Sequence, residues 1–434
     1  MDKMADVLGR AGAWCGQNKY LSAIKNAFQN FMPLTIAGAI GVLWCNVLVN
    51  DQTGLGLFFK PIMALDFLNP AFQAVNFCTI SCITVGITLG IAQEIGVWNM
   101  GAEKAGYIPG LVGLAAWLSV TNTSHMVEGA KEAFTGIAGN ELGATGLFTG
   151  MIIGVLSVEL FCFFEKQDAL KIKMPEQVPP GVARAFEVLV PATLTLIITA
   201  CIGSACYNLT GLYLNDVIKN GIQGPLGAVG ATIPGVMIIY LVIMLFWLVG
   251  IHGNNMLSAV KEALFTPLAL ENVEKFNKGE KPTNIINMYF LQMCGEFGGS
   301  GVTIGLVIAI MIFGKREDNK AIATLSLVPG LFNINETVTF GIPMVLNPIL
   351  GIPFVVAPLV TIIIGYVLTV IGFCPVACLT VPWTTPPIVF GFLACGANVM
   401  GAVTQAILIV VSTVIYTPFL ISYEKYQNKQ AAEA

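Results

Sequence analysis

Apolar residues in this chain are gathered into long runs that are separated by short polar connections. The runs that suit membrane spans of about 20 residues lie at 28–49, 72–93, 108–120, 144–164, 186–206, 227–249, 347–371 and 399–421. Two more apolar pieces lie between residues 284 and 346, and polar residues interrupt both. The pattern predicts an all-α integral membrane protein with about ten transmembrane helices.

Composition agrees with this prediction, because only 11% of the 434 residues are charged and 56% are hydrophobic. An average soluble domain has roughly 25% charged residues. Lipid must therefore cover part of the apolar surface and is an expected partner. The net charge is only −4, and no basic patch indicates a nucleic-acid partner.

Basic residues predict the orientation of the chain in the membrane. They occur at Lys19 and Lys25 near the N-terminus, in the connection 164–186, and at Lys425 and Lys429 near the C-terminus. The positive-inside rule places all three regions in the cytoplasm. Both termini are therefore predicted to lie inside, an N-in, C-in arrangement.

The two interrupted pieces, at about 284–313 and 321–346, predict the position of a binding site. Gly298-Gly299-Ser300-Gly301 interrupts the first piece, and Pro329-Gly330 with Asn333-Ile334-Asn335-Glu336 interrupts the second. Because exposed backbone cannot face lipid, such breaks indicate re-entrant hairpins beside a substrate site. We expect an N-terminal scaffold half, 1–206, and a C-terminal binding half, 207–434.

Ionisable residues inside apolar segments are costly in lipid, so each is a candidate functional residue unless its position explains it. Three lie near predicted span ends, where a side chain can reach the interface: Glu94, Glu159 and Glu187. Lys261 and Glu262 fit the solvated face of an amphipathic helix. These five are not predicted to act in the site.

His252 and Glu336 are the strongest candidates. His252 lies in the run GIHGNN, where glycines allow a ligand to approach closely and Asn254 adds hydrogen-bonding groups. Glu336 follows Asn335 in the run FNINETVTF, and carboxylate, amide and hydroxyl groups together suit a sugar. The alternative for both is a role at a helix end, with Asn335 as a capping residue.

Four further residues are weaker candidates for sugar binding. Glu296 precedes the Gly-Gly-Ser-Gly break, and Asn287 lies in the same leg of that segment. Trp247 and Trp383 offer indole rings on which the apolar face of a sugar can pack. The alternative for each tryptophan is a place in the aromatic belt at the membrane interface.

No sequence feature indicates a metal or another cofactor. The 11 cysteines are scattered without a CxxC pair, and the two histidines, His125 and His252, are far apart. The glycine-rich stretches also lack the pattern of a phosphate-binding loop.

Four segments together resemble the enzyme IIC permease of the bacterial phosphotransferase system, in its lactose/cellobiose/diacetylchitobiose family. They are NKYLSAIKNAFQNFMPLTIAGAI (18–40), GIHGNN (250–255), GLFNINETVTFGIPMVLNP (330–348) and VPWTTPP (381–387). One departure is Thr337, which stands where that family usually has proline after the glutamate of the motif.

The resemblance implies a multi-pass permease of the bacterial plasma membrane that forms a homodimer through its N-terminal half. It implies that a β-linked disaccharide is carried inward and that its 6-hydroxyl is presented to a phosphocysteine on a separate enzyme IIB, downstream of enzyme IIA. His252 and Glu336 match the family residues that contact the sugar near that hydroxyl and are therefore the expected catalytic pair.

Two other functions stay open on the residues alone. One is a proton- or sodium-coupled secondary sugar transporter that uses Glu336 as its coupling site. The other is an intramembrane glycosyl or phosphoryl transferase, although no DDxxD arrangement of acidic metal ligands occurs in the chain and its DxxxD spacing, Asp2 to Asp6, lies outside the apolar runs.

Overall fold

The structure, a computed structural model, describes residues 10, 13–14, 17–51, 55–125, 134–175 and 177–433. The first half of the described chain contains ten α-helices, which are α1 Lys19–Leu43, α2 Asn69–Asn76, α3 Ile83–Met100, α4 Ala102–Ala105, α5 Ile108–Val120, α6 Gly139–Leu142, α7 Ala144–Glu165, α8 Pro180–Thr210, α9 Leu214–Ile218 and α10 Gly224–Gly230. Two short strands, β1 Ser124–His125 and β2 Phe134–Thr135, pair antiparallel.

Ten more α-helices follow in the second half of the described chain. They are α11 Ile233–Leu248, α12 Gly253–Met256, α13 Ser258–Asn277, α14 Met288–Gly295, α15 Ile304–Phe313, α16 Glu317–Leu331, α17 Glu336–Gly341, α18 Gly351–Val370, α19 Val389–Ala394 and α20 Val399–Glu433. Helical turns of other types are the 3-10 turns Leu55–Leu57, Lys60–Leu68, Asp168–Leu170 and Ser300–Val302 and the π turns Trp44–Leu48, Phe77–Ser81 and Lys219–Gln223.

Local sequence sets the ends of these helices. Helix α8 starts at Pro180, whose fixed φ suits a first helical position, and ends before Gly211, which is left-handed at φ +72°. Helix α11 starts after Thr232, whose hydroxyl accepts a hydrogen bond from the Gly235 N–H. These caps satisfy backbone groups that a helix end would otherwise leave unpaired.

Five helices of the described chain are long and apolar enough to cross a membrane, at Lys19–Leu48, Ala144–Glu165, Pro180–Thr210, Gly351–Val370 and Val399–Gln430. Two bent helix pairs raise this number to seven, and two shorter apolar helices, Ile108–Val120 and Ile233–Leu248, are also present. The predicted helical membrane architecture is thus found, while the number of about ten spans stays a prediction.

The breaks in the apolar segments differ from the predicted ones in two places. The glycine break at 298–301 is confirmed, and the pieces on either side of it are bent by 60°. In the second segment, however, helix α16 continues through Pro329 and Gly330, and the break lies in the turn 332–335. A further bend, of 42°, occurs between Lys60–Ser81 and Ile83–Met100, where the sequence predicted one continuous span.

One compact unit comprises Gln17–Thr35 and Phe77–Gly227. Helices α3, α5, α7 and α8 pack against one another in it, with Trp117 of α5 almost fully buried in a small apolar core. The three glutamates near predicted span ends all have polar partners there. Glu159 pairs with Lys19 at 2.6 Å, Glu187 with Arg184 at 2.7 Å, and Glu94 accepts a hydrogen bond from Asn26 at 2.9 Å.

The other compact unit comprises Ile36–Asn76 and the chain from Ala228 onward. Its core is one continuous apolar cluster, in which α15, α18 and α19 each pack on the long helix α20 and α11 packs on α18. The division into compact units therefore falls at 227/228, and the segment 36–76 belongs to the unit that contains the C-terminal part of the chain. The predicted scaffold half, 1–206, and binding half, 207–434, stay a prediction. The roles that we predicted for the two halves are untouched by this difference.

Candidate functional site

His252 stands at the end of helix α11 because the chain turns sharply there. Gly250 adopts a left-handed conformation, φ +83°, which a residue with a side chain rarely adopts. The imidazole then caps the short helix α12, since its Nδ1 accepts a hydrogen bond from the Asn255 N–H at 3.2 Å. A neutral imidazole that accepts at Nδ1 carries its proton on Nε2.

Glu336 is the first residue of helix α17, directly after the turn 332–335. Asn333 makes this turn possible, because it is left-handed at φ +63° and asparagine tolerates that conformation better than most residues. Asn335 occupies the capping position, but its side chain makes no capping hydrogen bond. The predicted cap is therefore not formed, and the side-chain amide of Asn335 donates instead to the Ser300 carbonyl.

The two candidate catalytic side chains face each other across a short gap. His252 Nε2 and Glu336 Oε1 are 3.9 Å apart, and the two side chains are 38% and 48% exposed. This separation is too long for a direct hydrogen bond. It leaves room for a hydroxyl group that accepts from the Nε2–H and donates to the carboxylate.

Ser300, in the glycine break, joins the segments that carry these two residues. Its Oγ accepts a hydrogen bond from Asn254 Nδ2 at 2.8 Å, and its backbone carbonyl accepts one from Asn335 Nδ2 at 2.7 Å. Gly299 allows this close approach, because a Cβ there would lie 2.6 Å from the Asn335 side chain. The first broken segment thus packs directly against the turn before Glu336.

A buried ion pair lies beside this network. Lys261 Nζ contacts Glu296 Oε1, the Tyr240 hydroxyl donates to the same carboxylate at 2.8 Å, and Lys261 also reaches Asn254 Oδ1 at 3.5 Å. The prediction that Lys261 lies on a solvated face was wrong, because its residue is only 6% exposed. Its neighbour Glu262 is half-buried and accepts a hydrogen bond from Thr266.

Asn333 connects the turn before Glu336 to the segment that holds Trp383. Its Nδ2 donates to the backbone carbonyls of Trp383, at 2.5 Å, and of Thr385, at 3.1 Å. Its Oδ1 accepts from the Gly298 N–H at 2.6 Å. The indole of Trp383 is 41% exposed, so it is open to a ligand.

Among the residues that the structure describes, no three His, Cys, Asp or Glu side chains are grouped so that they could hold a metal ion. The site instead offers one carboxylate, one imidazole, several amides and an exposed indole. Such a set recognises hydroxyl groups and apolar ring faces, as a sugar presents them.

Comparison with known proteins identifies the family of this chain. The sequence model of the family described as "Phosphotransferase system, EIIC" matches residues 25–358. This chain belongs to the phosphotransferase system EIIC family. The resemblance inferred from the four sequence segments is thus confirmed, and this EIIC protein is an integral membrane permease component of a sugar phosphotransferase system.

Individual relatives are similar to this EIIC chain over almost its full length. The oligo-beta-mannoside-specific EIIC component of Bacillus subtilis (strain 168) is 32% identical over 98% of this chain and 94% of the relative. The cellobiose-specific EIIC component of Lactococcus lactis subsp. lactis (strain IL1403) is 29% identical over 98% of both chains. The crystal structure of ChbC, the IIC component from the N,N'-diacetylchitobiose-specific phosphotransferase system, matches with a TM-score of 0.88 at 29% identity, over 97% of each chain.

Two predicted sugar-binding residues of this EIIC protein have other surroundings. Trp247 is 2% exposed, and its ring packs on the His252 ring at a centroid distance of 4.4 Å, so it supports the histidine from behind. Asn287 is fully buried and caps helix α14 by accepting from the Tyr289 and Phe290 N–H groups. Its Nδ2 donates to the Ala377 carbonyl at 3.0 Å. Neither side chain is open to a ligand.

Four residues of the EIIC site were not predicted to act there: Ser300, Lys261, Tyr240 and Asn333. Ser300 and Asn333 lie inside the two breaks that the sequence located, so the breaks themselves were the available signal. Lys261 and Glu296 are charges of opposite sign in a weakly charged region, but 35 residues separate them. Nothing in the sequence indicates that they pair.

Proposed function

We propose that this EIIC protein binds a β-linked disaccharide of the diacetylchitobiose, cellobiose or lactose type, carries it inward and presents its 6-hydroxyl to phosphorylated enzyme IIB. The relatives named for oligo-beta-mannoside, cellobiose and diacetylchitobiose support this substrate class. The exposed Trp383 supports it as well, because an indole packs on the apolar face of a sugar ring.

The observation that carries the proposal is the open pair of His252 and Glu336. A 6-hydroxyl between them accepts a hydrogen bond from His252 Nε2–H and donates one to Glu336. As the hydroxyl oxygen attacks phosphorus, a new O–P bond forms and the S–P bond of the IIB phosphocysteine breaks. Glu336 accepts the hydroxyl proton as a general base, and His252 holds the oxygen in line.

The remaining side chains of the site are assigned to orienting the sugar and the pair that binds its 6-hydroxyl. Asn254, Asn335 and Glu296 lie in one polar network beside the open pair. Trp247 acts through His252, on which it packs. The proposal also includes the N-in, C-in orientation and a homodimer formed through the N-terminal half. Enzyme IIB must reach the site from the cytoplasm.

The second candidate function is a proton- or sodium-coupled secondary sugar transporter. The exposed carboxylate of Glu336 favours it, because an ionisable group in a membrane transporter often binds the coupling ion. This function predicts that free sugar accumulates and that an uncoupler abolishes uptake even when the phosphate relay is intact.

Two measurements test the proposal. Radiolabelled diacetylchitobiose, cellobiose and lactose are first bound to the purified protein, with Glu336→Gln as the comparison. We expect saturable binding of one disaccharide that the variant weakens. Membrane vesicles with and without phosphoenolpyruvate and the soluble partner proteins then reveal the product. We expect phosphorylated sugar only with the complete relay, whereas free sugar that accumulates without it would overturn the proposal.

A further inference from the structure

The spacing between His252 and Glu336 needs a structural cause, because the two residues belong to different segments. His252 precedes helix α12, and Glu336 begins helix α17, 84 positions later in the sequence (336 − 252 = 84). No direct hydrogen bond joins the two side chains across their gap of 3.9 Å. Something else must therefore hold the two segments at this distance.

Ser300 binds both segments with different atoms. Asn254, two residues after His252, donates to the Ser300 hydroxyl at 2.8 Å, and Asn335, one residue before Glu336, donates to the Ser300 carbonyl at 2.7 Å. Ser300 is itself 4% exposed, so its end of both hydrogen bonds is shielded from water. A shielded hydrogen bond is stronger and harder to replace than an exposed one.

The glycine break around Ser300 is also firmly held. The buried Tyr416 hydroxyl donates to the Gly301 carbonyl at 2.8 Å, and the Thr303 hydroxyl donates to the Gly298 carbonyl at 2.8 Å. These contacts fix the break to helix α20 and to the start of helix α15. Ser300 is therefore a rigid point to which the His252 and Glu336 segments are both attached.

We propose that Ser300 is a positioning residue, which sets the distance between His252 and Glu336 for phosphoryl transfer to the sugar. This inference rests on the proposed function, since it assigns a purpose to the spacing of that pair. Ser300 does not contact the reacting hydroxyl in this role. It acts through Asn254 and Asn335, and small errors in the placement of reacting groups slow a reaction strongly.

The test separates sugar binding from turnover in the full-length protein. Ser300→Ala removes the acceptor for Asn254 but keeps the carbonyl that binds Asn335. We expect phosphoenolpyruvate-dependent phosphorylation at saturating sugar to fall about tenfold, while the dissociation constant of the radiolabelled disaccharide changes less than about threefold. Ser326→Ala is the matched control, because Ser326 is equally buried and its hydroxyl bonds only its own helix at Ile322.

A double-mutant cycle with Asn254→Ala then assigns the effect to the Asn254–Ser300 hydrogen bond. If loss of this hydrogen bond causes the loss of turnover, adding Ser300→Ala to Asn254→Ala slows turnover no further. Asn254 is only half-buried, so its variant also provides the test if Ser300→Ala does not fold. In that case we expect Asn254→Ala to lower turnover more than affinity.

Specific results would overturn the inference. Turnover of Ser300→Ala within about twofold of the parent protein would do so, as would a parallel loss of turnover and affinity, because a positioning defect acts mainly on turnover. Failure of the proposed function is recognised separately, because Glu336→Gln would then leave both binding and phosphorylation unchanged. A normal Ser300→Ala beside a defective Glu336→Gln rejects only the role of Ser300.

Discussion

Two pairs of basic and acidic side chains lie in the same unit of this protein, and they differ in almost every physical respect. His252 and Glu336 are 3.9 Å apart and 38% and 48% exposed. Lys261 and Glu296 are in direct contact and only 8% and 18% exposed. The closed pair satisfies itself within the protein, whereas the open pair leaves a donor and an acceptor for a ligand.

The difference arises from what holds each side chain. The Lys261 ammonium has a flexible stem that can reach Glu296, and the Tyr240 hydroxyl and Asn254 amide complete the surroundings of the pair. The His252 ring is instead fixed by the Asn255 N–H on one side and by Trp247 behind it. A fixed imidazole cannot move to close the gap, and this keeps the open pair available.

The largest effect is expected when the closed pair is broken from one side. Lys261→Met leaves the Glu296 carboxylate without its cation, which we expect to cost about 3–5 kcal/mol and to lower the midpoint of thermal unfolding strongly. Lys261→Met with Glu296→Gln should recover most of this loss. A double variant as unstable as the single one would contradict the explanation. Lys320→Met is the control, because Lys320 pairs with Glu317 on the surface.

The open pair should respond in the opposite way. Glu336→Gln removes charge-assisted hydrogen bonds worth about 1.5–3 kcal/mol, so sugar affinity should fall about tenfold or more. The unfolding midpoint should stay unchanged, because the carboxylate is half-exposed and makes no direct hydrogen bond with His252. Glu317→Gln removes a more exposed carboxylate and should alter neither quantity. A marked loss of stability in Glu336→Gln would contradict the explanation that only the closed pair stabilises the fold.

A smaller effect is expected beside the open pair. Trp383→Ala removes an exposed indole, and we expect sugar affinity to fall about fivefold if the ring packs on the sugar. Equilibrium binding of the radiolabelled disaccharide measures this change. Trp98→Ala, which removes an exposed indole from the other compact unit, should leave affinity unaltered. Equal affinities for both variants would return Trp383 to the membrane-interface role.

The smallest effect is expected behind the open pair. Trp247→Phe keeps one aromatic ring against His252 and removes the second ring of the indole with its N–H, which is buried and has no hydrogen-bond partner among the described residues. We expect the dissociation constant for the sugar to change by less than about twofold. A large loss of affinity would indicate that the indole itself contacts the sugar, as predicted from the sequence.

Much of this architecture could be read from local patterns. The apolar runs located the long helices, and the glycines at 298–301 marked a real break. The Pro329-Gly330 break was misplaced, because a proline and glycine in the last turn of a helix are compatible with helical backbone angles. The left-handed Asn333 marks the actual end of that helix.

The polar residues were harder to assign than the apolar ones. His252 and Glu336 stood out because an ionisable group in an apolar segment needs a reason. Asn287 stood out in the same way, yet it caps a buried helix. Lys261 was dismissed because a helical pattern shows which face is polar, but not whether another helix covers that face.

The sequence by itself determined the membrane-embedded helical class of this protein, its EIIC family and the segments that carry its reactive groups. These follow from hydropathy and from motifs that are continuous in the chain. Only the tertiary structure decided that Lys261 meets Glu296, that Ser300 joins Asn254 to Asn335, and that His252 and Glu336 stay apart. These contacts join residues from distant segments of the chain. How the segments pack depends on the shape of the whole core and not on the local sequence pattern.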